Sequence, residues 1–175
     1  IINIKNIGCK SNKVKVNVNG IPSGWQYSLS NSNPTIPPYS NYPITLKINV
    51  PLNAIGDTSH TITVNATSTY SAQCTSSIQL SLYVNKVSKL ELTANSTQSI
   101  VHINETAYYK ILVTNYGNTK ENILLACSGA IEGWKVKLKD TLITLNPNET
   151  KSTILEVTPI DVNIGDELIV IVQCS

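Results

Sequence analysis

The chain repeats itself at an offset of 109 residues, which confines it to two related units of one architecture. Ile4-Lys5-Asn6-Ile7-Gly8 lies over Val113-Thr114-Asn115-Tyr116-Gly117, and Gly24-Trp25 lies over Gly133-Trp134, which pairs the only two tryptophans. Pro38 falls on Pro147, Leu46 and Ile48 on Leu155 and Val157, and Ile55-Gly56-Asp57 on Ile164-Gly165-Asp166. The overlay runs without a gap.

Between these landmarks apolar residues alternate with polar ones, the period of a half-buried strand. Val14, Val16 and Val18 are separated by Lys15 and Asn17, and Trp134, Val136 and Leu138 by Lys135 and Lys137. Ile44, Leu46, Ile48 and Val50 follow the rule, as do Ile62, Val64 and Ala66, then Ile78, Leu80, Leu82 and Val84. Asn, Ser, Thr, Ile and Val dominate the composition, and no long window carries a capped helical period. Short strands divided by Gly, Pro, Asn and Asp predict an all-β chain folded as antiparallel β-sandwiches. Trp25 and Trp134 are expected as core anchors on middle strands, each burying roughly 200 Å².

The expected domains are 1–86 and 87–175. Leading strands are expected around Leu90-Leu92-Ala94 and Ile100-Ile103, and the first unit has no counterpart to them. The second has no counterpart to residues 67–84. The expectation is therefore a fragment of a longer repeat array, or else a chain whose missing strands come from neighbouring molecules.

The order Val113-Thr114-Asn115-Tyr116-Gly117, Gly133-Trp134, Pro147 and Gly165-Asp166, present once in each unit, resembles the CARDB and α-galactosidase-associated families of immunoglobulin-like repeats. The resemblance implies two tandem immunoglobulin-like β-sandwich domains of a prokaryotic surface protein, and it carries no catalytic residues. The Ile, Asn, Lys, Ser and Thr usage looks like an archaeal cell-surface or S-layer-associated chain.

Four cysteines, Cys9, Cys74, Cys127 and Cys174, stand far apart without a CxxC pair, and sequons occur at Asn65, Asn95, Asn104 and Asn148. Together they point to an oxidising, glycosylating, extracellular compartment. Four cysteines allow three pairings. On repeat coordinates Cys9 with Cys74 and Cys127 with Cys174 share one index sum, as antiparallel partners do, so one bridge per domain is expected, with a bulge to bring both onto one face.

The net charge of +2 comes from dispersed lysines in a chain without arginine, which argues against nucleic-acid binding. No stretch reaches the roughly 20 apolar residues of a membrane span, and no leader opens the chain, so a soluble piece without membrane contact is expected.

His60 and His102 occupy unrelated repeat positions, and the carboxylates do not cluster, which leaves no triad or glycosidase pair in view. Glu132 and Asp140 flank the Trp134 strand, but their counterparts are Ser23 and Asn31. The Gly-Asp pairs at 56–57 and 165–166 read as turns and not as metal ligands. No cofactor, metal or catalytic residue is expected. Tyr39 and Tyr42, on the proline-rich segment 33–43, are the candidate ligand contacts.

The function expected is a non-catalytic structural or adhesive surface module. Its partners are other surface subunits, neighbouring domains of the same chain, or glycans. A filament subunit joined by strand donation and an accessory carbohydrate-binding module of a secreted glycosidase are the alternatives.

Overall fold

β-Branched residues at alternate positions favour extended backbone, and clusters of glycine, proline and asparagine end each run. The computed structural model describes residues 1–175 and contains strands and turns but no helix. Every strand pairing is antiparallel, no sheet closes into a barrel, and the chain divides into two compact units, Ile1–Asn85 and Lys86–Ser175.

The first unit holds β1 (Ile2–Lys5), β2 (Asn12–Asn19), β3 (Gln26–Leu29), β4 (Thr35–Ile36), β5 (Asn41–Ile44), β6 (Leu46–Asn49), β7 (Thr58–Ser68) and β8 (Thr75–Val84). One sheet runs β4-β2-β7-β8, while β1 pairs with β5 and β3 with β6. Val14, Val16 and Val18 of β2, Ile62 and Val64 of β7, Ile36 and Ile44 form the core. Ile2, Ile4, Leu29, Leu46, Leu80 and Leu82 pack against it. All sheets thus contribute to one apolar interior.

The second unit holds β9 (Leu90–Ala94), β10 (Ala107–Asn115), β11 (Glu121–Ser128), β12 (Trp134–Leu138), β13 (Leu142–Leu145), β14 (Thr150–Pro159) and β15 (Ile171–Cys174). Its sheets run β12-β14-β10-β9 and β13-β11-β15. The core is Ile111, Val113, Ile123, Leu125, Leu138, Ile143, Leu145, Leu155 and Val157.

The sequence repeat is a repeat of register. Ile2 faces Ile44 as Ile111 faces Thr153, Leu29 faces Leu46 as Leu138 faces Leu155, and Asn12 faces Ile36 as Glu121 faces Leu145. The ungapped overlay fails in the last shared strand. Val16 faces Ala66, whereas its counterpart Leu125 faces Cys174, the counterpart of Asn65. A one-residue slip exchanges the faces of a strand. Accordingly Leu168, Val170, Val172 and Cys174 pack inward in the second unit, while Ile62 and Val64 do so in the first.

Three other expectations change. The run Ile44 to Val50 is broken at Thr45, where Ser30 takes both backbone groups: its N–H donates to the Thr45 carbonyl and its hydroxyl accepts from the Thr45 N–H. Residues 100–103 form no strand, and Ile100 is exposed. The tryptophans are not buried anchors on middle strands. Trp134 lies half-buried on the outer strand β12, and Trp25 precedes β3 and meets the His60 ring edge-on at 4.9 Å. Aliphatic side chains fill the interior instead.

Candidate functional site

The repeated Asn-x-Gly is a buried clamp. Asn115 is fully buried, and its Nδ2 donates to the carbonyls of Thr119 at 2.8 Å and of Leu145 and Asn146 at 3.3 Å, while its Oδ1 accepts the Gly117 N–H at 2.8 Å. Asn6 repeats this set with Lys10, Ile36, Pro37 and Gly8. One side chain therefore ties the β1–β2 turn, or the β10–β11 turn, to the end of β4 or β13. An amide supplies the two donors and the acceptor this needs, and no aliphatic residue does.

A second recurring device is the acid-locked turn. Glu149 accepts the Asn146 N–H at 2.7 Å, Glu105 the His102 N–H at 3.1 Å, and Asp166 the Asn163 N–H at 2.8 Å. In each, the residue before the acid has positive φ: Asn148 at 60°, Asn104 at 65° and Gly165 at 94°. The backbone hydrogen bond from Asn146, and then Lys151, hold the Glu149 carboxyl below its ordinary range. Asp57 accepts the Tyr83 hydroxyl at 2.9 Å, and that bond raises the phenol above its usual value.

Tyr39 is the counterpart of Asn148 and shares its conformation, with φ at 54°. Asparagine tolerates this region, whereas an aromatic residue there is strained by roughly 1–2 kcal/mol. The side chain is 71% exposed, so no core contact compensates. Tyr42 differs: it packs against the core and its hydroxyl accepts from Asn31 Nδ2 at 3.1 Å. The two candidate tyrosines are thus separated, and only Tyr39 holds its ring largely in solvent. Tyr39→Asn is expected to stabilise the first unit by about 1 kcal/mol in a denaturant titration. An unchanged or lower midpoint would show that the ring is held by contacts and is not strained.

The other sequence-stated positions fall as follows. Asn95, Asn104 and Asn148 are exposed, and Asn65 is half-buried within β7 opposite Asn17. The four cysteines are free thiols, so neither expected bridge is formed. Cys127 faces Val172 and Cys174 faces Leu125, which makes the two cysteines diagonal neighbours on the core side. Diagonal neighbours stand about 7–8 Å apart at Cα, beyond the roughly 4.4–6.8 Å that a disulfide spans. Cys9 lies in the turn between β1 and β2, and Cys74 closes the turn before β8, its carbonyl accepting the Ser68 N–H. Asp140 is held by Thr153, whose hydroxyl donates to Oδ2 at 3.0 Å, and Glu132 lies on an exposed loop. His60 bonds Thr58 at 3.0 Å.

Two strand edges stand open, of which sequence reasoning anticipated the one left by the leading strands missing from the first unit and passed over the other. β8 is the outer strand of its sheet and spans ten residues without a charge or a proline, a signal visible in Thr-Ser-Ser-Ile-Gln-Leu-Ser-Leu-Tyr-Val. β1 has β5 as its one neighbour, so its other edge is open. Beside that edge lies a cleft of ≈ 400 Å³ whose floor is Val16, Ile44, Val64 and Ala66, with Lys5 at its rim and Ser76 and Ile78 on its far wall. Ile78 faces Val64 on the core side yet remains 47% exposed.

No protein-family model matches the chain, and no curated protein matches it in sequence. Among solved structures it is similar to the CsuC–CsuE chaperone–tip adhesion subunit pre-assembly complex from archaic chaperone-usher Csu pili of Acinetobacter baumannii. That match has 13% identity over 97% of this chain and 88% of that one, at a TM-score of 0.37. A protein of unknown function from Porphyromonas gingivalis matches at 19% identity over 89% and 71% of the two chains, TM-score 0.33. The YadV chaperone matches at 11% identity over 99% and 90%, TM-score 0.34.

Proposed function

We propose that the chain is a non-catalytic structural or adhesive module of a cell-surface protein, built from two immunoglobulin-like sandwiches in series and acting through strand-mediated contacts. The observation that carries this reading is β8, a ten-residue outer strand without charge or proline. Sheets that must stay solitary blunt such edges with lysine, proline or bulges, and an edge left open pairs readily with another chain. The Asn clamps support a spacer role, since each fixes a turn to the end of a strand some thirty residues along the chain and resists local opening. Asn95, Asn104 and Asn148 are the positions at which surface glycans fit without opening a sheet.

The accessory carbohydrate-binding reading is supported at one residue. Strain held at an exposed aromatic side chain is a feature of binding surfaces, and Tyr39 has it.

Intact source cells treated with a membrane-impermeant amine label test the main reading. Exposed lysines such as Lys137 and Lys139 are expected to label without permeabilisation. Labelling that appears only after lysis would overturn it.

A further inference from the structure

The first unit carries five lysines and a single carboxylate, Asp57. That carboxylate forms no ion pair. Its Oδ1 accepts the Tyr83 hydroxyl at 2.9 Å, which tethers a ring that is 61% exposed and leaves Oδ2 open to solvent. The turn itself does not call for this arrangement, because the counterpart Asp166 closes its own turn on the Asn163 N–H.

Tyr83 stands at one end of an array of short polar side chains on the outer face of β2, β7 and β8. Asn19, Thr63 and Gln79 lie across from one another on the three strands, Thr61 lies across from Ser81, and Ser59 from Tyr83. The side chains of Asn19, Thr61, Thr63, Gln79 and Ser81 are not hydrogen-bonded within the chain, so their donors and acceptors face outward unused. No charge stands on the outer face of β7 or β8. Solvated faces ordinarily intersperse charges of both signs, as β12 and β14 do with Lys135, Lys137 and Glu156. Nor does the repeat impose the array: in the second unit β15 turns Ile171 outward, and Ile169 just before it is 78% exposed.

We infer that this corner of the β2-β7-β8 face binds a neutral sugar residue of a glycan, its ring laid against Tyr83. The aromatic ring takes the apolar C–H face of the sugar. Asp57 Oδ2 accepts a sugar hydroxyl in a charge-assisted bond, and the Asn19 and Gln79 amides donate and accept as vicinal hydroxyls require. The charge selects a neutral ligand, since an anion meets Asp57, and one carboxylate falls short of the several oxygens a hard cation takes. The site rests on the adhesive half of the proposed role and is independent of strand pairing at β8. Tyr39, on the segment between β4 and β5, takes no part in it.

The test titrates the 175-residue chain with the methyl glycosides of glucose, galactose, mannose and N-acetylglucosamine while following assigned backbone amides. Saturable shifts centred on Thr61, Gln79, Ser81 and Tyr83 are expected with at least one of them. Tyr83→Ala is expected to weaken that binding by about tenfold, Asp57→Asn by a few-fold, and Tyr39→Ala not at all. Tyr83→Phe keeps the ring, drops its bond to Asp57 and is expected to bind between the original chain and Tyr83→Ala. Unchanged amide exchange at Ile62 and Val64 shows that each variant keeps its fold. Glycosides that leave these amides unmoved would overturn the inference. So would binding that Tyr39→Ala abolishes and Tyr83→Ala does not, or binding of a sulfated polysaccharide alone, at Lys13 and Lys15. Binding is read on the isolated chain, so it can hold where the surface labelling fails and fail where the labelling holds.

Discussion

Asn115→Ala is expected to destabilise the second unit by about 3–4 kcal/mol, the largest effect of any polar substitution in the chain. Leaving a buried hydrogen-bonding group without its partner costs about 1–3 kcal/mol. The substitution strands the carbonyls of Thr119 and Leu145 and the Gly117 N–H in a site from which water is excluded. Asn115→Asp does not rescue it, because a carboxylate keeps the acceptor for Gly117 but turns an anion toward carbonyl oxygens that need donors. Asn6→Ala breaks the same bonds in the first unit, at a site 8% exposed and beside the open Gly8, so water reaches the stranded groups. Its cost is expected to be about 2 kcal/mol. Residue-resolved amide exchange separates the two units. Core amides of β10 and β11 that exchange at the original rate in Asn115→Ala would refute the clamp.

Glycine in the Gly-Trp pair produces the second large effect, and the two repeats differ in it. Gly24 and Gly133 both sit at positive φ, 81° and 84°. An added Cβ meets nothing within 4 Å at Gly24, but at Gly133 it runs into the Asp161 carbonyl and crowds Val162 Cγ1 at 3.1 Å. The Gly133 carbonyl also accepts the N–H groups of Ile160 and Asp161, so the backbone has no room to retreat. Gly24→Ala should cost about 1–2 kcal/mol, from the left-handed conformation alone. Gly133→Ala adds an overpacking penalty of about 1–3 kcal/mol and is expected to total about 2–5 kcal/mol. Equal shifts in unfolding midpoint for the two variants would mean that the contact with Asp161 relaxes freely.

Period-two alternation made the strands legible, because a strand with one wet face must write that face into its sequence. β2 and β11 begin and end at the same repeat positions, and β12 follows its Trp-Lys-Val-Lys-Leu alternation. The importance of Asn-x-Gly was legible as a repeated motif, but its purpose was not. The carbonyls it satisfies belong to Leu145 and Asn146, thirty residues along the chain. Index sums misplaced the cysteines because they assume one register throughout, whereas Cys127 lies opposite Val172. The slip in β15 left one trace, since residues 168–172 are apolar without a break but Gln173 stands where the offset of 109 from Val64 demands an apolar residue. Tyr39 and Tyr42 could not be told apart from sequence. What separates them is a backbone dihedral and an Asn31 hydrogen bond, neither of which composition encodes.

That same slip sets a limit on genetic exchange between the two halves. Crossovers upstream of Val50 and its counterpart Pro159 join segments whose inward residues agree, so chimaeric units recombined there keep an apolar interior. A crossover downstream grafts a strand whose oily side points outward and whose wet side enters the core. The repeats have therefore drifted past the point at which the final strand is interchangeable, and a gene library shuffled between them should yield folded products on one side of that boundary only.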